Sequence, residues 1–185
     1  MAEDNFALTT FYTSWKAYQD HLKAALALLT DEQLDLRVAP RLRSIGENVL
    51  HIIGCRMFWF TEFLGEDGSA ELQAYARWNE VALRAPYVRW HDVAPALGSP
   101  APTSSDLAEG LDRTWRFMAA CLAHWPAGAM QQSFAEDQHG QHVEVSRAQV
   151  VWHVLEHDLH HGGEVSLTLG LYGLQAEFPT VLIAD

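Results

Sequence analysis

His157 and His161 lie four residues apart in the stretch His153-Val-Leu-Glu-His157-Asp-Leu-His-His161. On an α-helix that spacing sets two side chains on one face, one turn apart. Two imidazoles placed this way can converge on one metal ion. A third ligand has to come from another element. His51 is a candidate, because it interrupts the apolar run Val49-Leu-His-Ile-Ile, where a buried imidazole needs a polar partner. A single histidine on an apolar helix face is more often a packed core residue than a ligand, so His51 gains weight only beside the pair.

Helical angles separate the pair from its neighbours. At about 100° per residue, Val150, Val154, Glu164 and Thr168 fall within about 40° of the line bisecting His157 and His161. That mixed stripe suits a bundle interior with a site in it. His153 and His160 fall together at its flank, suited to supporting the site or touching a substrate. A triad of His153, His157 and His161 is poor, because eight residues rise about 12 Å while metal–nitrogen bonds are near 2.1 Å. Cys55, one turn beyond His51, reads as a small core residue. Glu47, one turn before His51, is explained by a helix cap.

Four helices are needed to carry these groups. Phe11, Trp15, Tyr18, Leu22, Ala25 and Leu29 form one apolar stripe and predict a first helix over about 5–29. Ser44-Ile-Gly-Glu47 has the capping-box form and opens a second helix reaching Leu64, with Gly65 as its stop. Residues 66–102 are rich in Pro and Gly and read as a long crossover, with a short helix around Glu71–Leu83. Thr103-Ser-Ser-Asp106 opens a third helix that runs to about Trp125, before Pro126. Residues 127–145 read as a loop with extended pieces around Val143–Val145. Ser146-Arg-Ala-Gln149 caps a fourth helix that runs to about Tyr172, with Gly173 beyond it. The expected fold is all-α: a single domain over 1–185, a four-helix bundle with a long crossover between helices two and three.

Composition narrows the function. The 185 residues are 49% hydrophobic and 19% charged, which suits one globular domain. The formal charge is −12, from 24 acidic and 12 basic residues, with no basic run. That argues against a nucleic-acid partner, since phosphate backbones are bound by clustered Lys and Arg. No stretch has the roughly 18 apolar residues of a membrane span, and the acidic N-terminus has no signal-peptide pattern. Cys55 and Cys121 are far apart and form no CxxC pair, so free thiols in a reducing cytoplasm are expected.

Two segments carry a family resemblance. Ser44-Ile-Gly-Glu-Asn-Val-Leu-His51, with the aromatic run to Leu64-Gly65, resembles the second helix of the DinB/YfiT-like superfamily of metal-binding four-helix bundles. His153 to Glu164, in a helix ending at Gly173, resembles its last. The helix count and the crossover agree, so the likeness spans essentially the whole chain. The resemblance implies three histidine ligands, which map onto His51, His157 and His161, and a homodimer. The chain departs from the family where Arg-Gly-Gln often follows the last ligand. Here Gly162-Gly-Glu164 stands instead, removing a cation and adding a carboxylate.

Three neutral imidazoles leave positions open on an ion, the pattern of a catalytic site. Such an ion, zinc or nickel, lowers the pKa of a bound water or thiol. The resemblance implies either transfer or isomerisation with a low-molecular-weight thiol, favoured slightly on family analogy, or metal-dependent hydrolysis. Glu164 and His160 are then candidates for moving a proton or orienting a ligand. A third expectation is a non-catalytic metal- or ligand-binding stress-response protein.

Overall fold

Three of the four long helices begin at capping boxes. Ser44 and Glu47 open one, Thr103 and Asp106 another, Ser146 and Gln149 the third. At the first, the Glu47 N–H donates to Ser44 Oγ at 3.2 Å and the Ser44 N–H donates to Glu47 Oε2 at 2.7 Å. Each box satisfies two orphan N–H groups, and the loss of a cap costs about 1 kcal/mol. The computed structural model describes residues 2–71, 73–75, 78, 95–126, 128–138 and 141–174. Its long helices are α1 (Ala2–Ala27), α2 (Ile45–Met57), α3 (Ser104–His124) and α4 (Arg147–Leu171). Gly65 (φ +74°) and Gly173 (φ +66°) follow the second and fourth as left-handed stops, a conformation that costs glycine no steric clash. Among the described residues, no helix is long and apolar enough to cross a membrane.

The apolar stripes meet in two clusters. Leu22, Leu26, Val49, Ile53, Leu111 and Val165 belong to one, and Trp15, Phe60, Trp115, Met118, Val151 and Val154 to the other. The expected α1 stripe faces this core, with Trp15, Leu22 and Ala25 buried. Where the clusters change over, each helix contributes a buried polar residue: Gln19, Arg56, Thr114 and Asp158.

The fold is all-α, as expected, with three local differences. First, α2 does not continue as an α-helix to Leu64, because Phe58–Phe63 is π-helical. The Leu64 N–H donates five residues back, to the Trp59 carbonyl at 3.0 Å. The wider turn seats Phe60 in the core beside Trp125 and brings Trp59 against His153. Second, the region read as a loop with extended pieces around Val143–Val145 holds a full hairpin: those residues lie in β2 (Gln141–Ser146), and β1 (Ser133–Gln138), read as loop, pairs with it, Phe134 with Val145 and Ala135 with Glu144. The segment Ala-Glu-Asp-Gln has little strand propensity; pairing to β2 and the contact of Phe134 with Phe63 and Arg147 hold it extended. Third, the polar stretch after α1 contains a 3₁₀ turn, Asp31–Asp35. In the crossover, 69–71 and 73–75 are helical, and the rest of the short helix expected at Glu71–Leu83 lies largely outside the described residues.

Candidate metal centre

α2 packs along α4, and the three histidines meet across that seam. The ring centroids of His51, His157 and His161 lie 4.6, 4.7 and 4.3 Å apart pairwise. Each ring offers a nitrogen, and the three lie within 4.8 Å of one another. His157 and His161 come together because one helical turn stacks them. His51 joins because the α2 cap fixes where that helix begins.

Burial, the facing imidazoles and the Arg43 guanidinium hold His157 and His161 neutral. Burial most of all, then His161 and His51, pushes His157 down from 6.5 to about 2. Burial, His51 and Arg43 push His161 down to about 3. Neutral imidazoles with free lone pairs are the form that ligates a metal.

Hydrogen-bond accounting supports the same use. His157 Nε2 lies 3.0 Å from His51 Nε2, and Arg43 Nη2 lies 3.2 Å from that same His51 nitrogen. A guanidinium only donates, so His51 Nε2 accepts and His157 Nε2 carries the other proton. His157 Nδ1 is then a buried acceptor, and it has no hydrogen-bond partner among the described residues. A buried polar atom left unserved calls for an explanation beyond packing. Separately, the 3.0 Å between the His51 and His157 Nε2 atoms is near the separation of about 3.4 Å expected for two ligands about 2.1 Å from a tetrahedral ion. The residues therefore fit a divalent ion.

Glu164 and His160 stand at the edge of the cluster. His161 Nδ1 lies 2.8 Å from Glu164 Oε2, leaving Nε2 as that ring's other nitrogen. His160 is exposed, with Nε2 3.5 Å from Glu164 Oε1. A carboxylate on the far nitrogen of a ligating ring fixes its tautomer and orientation. His153 stays outside the trio, with its ring 4.9 Å from Trp59 and 6.2 Å from His157. Cys55 and Cys121 are buried free thiols, each raised mainly by burial, Cys121 to about 12.

Sequence reading missed two features. Arg43 sits in the segment before α2 and reaches the site by folding back eight positions, which no periodicity signals. The Arg56–Asp158 pair joins residues 102 apart, with Arg56 Nη2 donating to Asp158 Oδ2 at 2.7 Å. Burial raises the Asp158 carboxyl, while Arg56 and the Trp15 indole pull it down. A charged Arg within an apolar helix face was the available signal.

An all-α bundle whose second and last long helices bring three imidazoles together defines a helical-bundle protein with a candidate metal centre. The chain belongs to the DinB family, whose sequence model matches residues 1–181. Its fold is similar to that of a DinB-like protein from Bacillus cereus ATCC 10987, with TM-score 0.60, 19% identity and coverage of 93% of this chain and 95% of that one. It is similar also to a conserved protein from Enterococcus faecalis, with TM-score 0.61, 13% identity and coverage of 84% and 91%. No curated protein matches the chain.

Proposed function

We propose that His51, His157 and His161 hold one divalent ion, and that the protein is an enzyme acting on a small molecule together with a low-molecular-weight thiol. The observation that carries the metal reading is the convergence of three imidazoles from two helices, with His157 and His161 held neutral. The thiol reading rests on the family resemblance. Zinc and nickel both suit an all-imidazole set, and either supplies a Lewis acid for an oxygen or sulfur donor.

The chain's own groups have distinct parts. The three histidines bind the ion. Glu164, hydrogen-bonded to His161, orients that ring, a role it suits better than taking a proton from water. His160, exposed beside Glu164, is placed to carry a proton between the site and solvent. Burial of His161 and Val154 keeps the inner side of the site dry.

The acidic chain and its small-molecule site suit a cytoplasmic enzyme that does not bind nucleic acid. A homodimer is part of the proposal. Trp152, Leu159, Leu167 and Leu171 are exposed apolar residues along α4 and suit burial against a second copy.

Metal content and the Glu164→Gln variant test the reading. Gln keeps an oxygen for His161 Nδ1–H but cannot act as a base. The metal-loaded variant should keep most of its thiol-transfer rate. Ester or amide hydrolysis by the parent, abolished in the variant, would establish the hydrolase instead. A parent protein that holds metal but turns over neither substrate class would favour a non-catalytic role.

A further inference from the structure

His161 belongs to two groups of ligands at once. One is the inner trio with His51 and His157. The other lies on α4 itself, where one ligand atom each of His160, His161 and Glu164 lie within 4.8 Å of one another. The helix builds this second group. At about 100° per residue, Glu164 falls about 40° past His160 and about 60° short of His161, one turn further along. Its carboxylate therefore stands between the two rings.

The spacing suits a cation. Two ligands about 2.1 Å from a tetrahedral ion sit about 3.4 Å apart. Glu164 Oε1 lies 3.5 Å from His160 Nε2, near that separation, and Glu164 Oε2 lies 2.8 Å from His161 Nδ1. Two imidazoles and a carboxylate suit a first-row divalent ion that keeps open positions. The group stands at the rim: His160 is exposed and Glu164 partly so, whereas His161 is buried.

The shared ring makes the two groups alternatives. A neutral imidazole carries a proton on one nitrogen and a lone pair on the other. With the proton on Nδ1, His161 donates to Glu164 and offers Nε2 to an ion inside. With the proton on Nε2, it offers Nδ1 to an ion at the rim, beside Glu164 and His160.

We propose that His160, His161 and Glu164 form a second divalent-cation site at the rim of α4, and that it excludes the inner site because His161 serves one ion at a time. The rim site stands on its own three residues. Its competition with the inner site rests on the metal reading above. While the ion is inside, Glu164 and His160 keep the parts already given to them.

Cobalt(II), whose visible absorption reports its ligands, provides the test. Metal-stripped parent should bind one Co²⁺ per chain. His51→Ala breaks the inner group, and one Co²⁺ should still bind, more weakly and with altered bands, because a carboxylate has joined its ligands. Adding His160→Ala to His51→Ala should lower that remaining affinity about tenfold or more, at least the scale of losing an outer-shell partner. His160→Ala alone should keep the parent's bands. Circular dichroism follows each variant, and His157→Ala opens the same comparison if His51→Ala loses its helical spectrum. Equal affinity in His51→Ala with and without His160→Ala overturns the inference, because the remaining ion then sits on His157 and His161. Two Co²⁺ bound together in the parent overturn the exclusion. An ion lost in His160→Ala but kept at full affinity in His51→Ala upholds the rim site and sinks the inner metal reading. A parent that takes up no Co²⁺ sinks both.

Discussion

Arg56 with Asp158, and His51 with His157 and His161, join the same two helices, and the two groups differ in how they use their polar atoms. In the first, every N–H of Arg56 has an acceptor: Asp158, Gln19 Oε1, Thr114 Oγ1 and the Leu111 carbonyl. Asp158 also accepts from Trp15 Nε1 at 2.9 Å. Both charged side chains are essentially inaccessible, at 1% and 0% exposure. In the second, one lone pair serves two donors and the buried His157 Nδ1 goes unserved. Among the described residues Gln19 Nε2 has no partner, but both charges of this layer are fully paired, and such a paired layer specifies how four helices pack. An unsaturated one at the edge of the same seam is poised to take something from outside. The difference separates a polar group that builds the fold from one open to the proposed ion, although both are at least partly buried and carried by α2 and α4.

The largest effect should come from breaking the buried Arg56–Asp158 pair. Arg56→Met leaves the Asp158 carboxyl buried without its main partner, and loss of one member of a buried pair costs about 3–5 kcal/mol. Urea unfolding should register it as a lower midpoint. His51→Ala should shift the midpoint of the metal-free protein far less, because it removes one of three competing imidazoles from an overcrowded cluster. Equal losses would erase the distinction between the two layers.

pH gives a smaller effect, specific to the histidines. His157 and His161 are held neutral in the folded chain, at about 2 and about 3, but take protons at about 6.5 when unfolded. Below 6.5 the unfolded chain therefore binds more protons than the folded one, and stability falls as pH falls. Above 6.5 these two rings contribute no slope. Metal-free parent should lose stability steadily from pH 6.5 to 4.5. A His157→Ala, His161→Ala double variant should show a shallower decline over that window, read from urea midpoints at each pH. Parallel curves would mean that the rings are not held neutral.

Much of this was legible in the residues, for reasons that also explain what was not. The His157/His161 spacing and the Ser44, Thr103 and Ser146 starts are local rules, complete within four residues. The last helix was therefore readable from Ser146 to Gly173. Burial of Val150, Val154 and Thr168 followed from their angle to the histidine face, while Glu164 at 39% exposure sits at its rim. Of the hairpin only the extended Val143–Val145 was readable, because the first strand is extended by its partner and not by its own composition. The π-helical segment was hidden inside an aromatic run that an α-helix would also tolerate. Arg56 with Asp158, and Arg43 with His51, depend on which helix packs against which. Such pairings enter a sequence only as a charge in an odd place.

An ion held at His51, His157 and His161 is the central claim. Metal-stripped protein titrated with Zn²⁺ or Ni²⁺ in a calorimeter should bind one ion per chain. His51→Ala should weaken that binding beyond the 10–100-fold scale of losing an outer-shell partner, while its circular dichroism spectrum stays that of the parent. No heat of binding in the parent, or equal affinity in His51→Ala, would contradict the central claim that α2 and α4 together hold the metal.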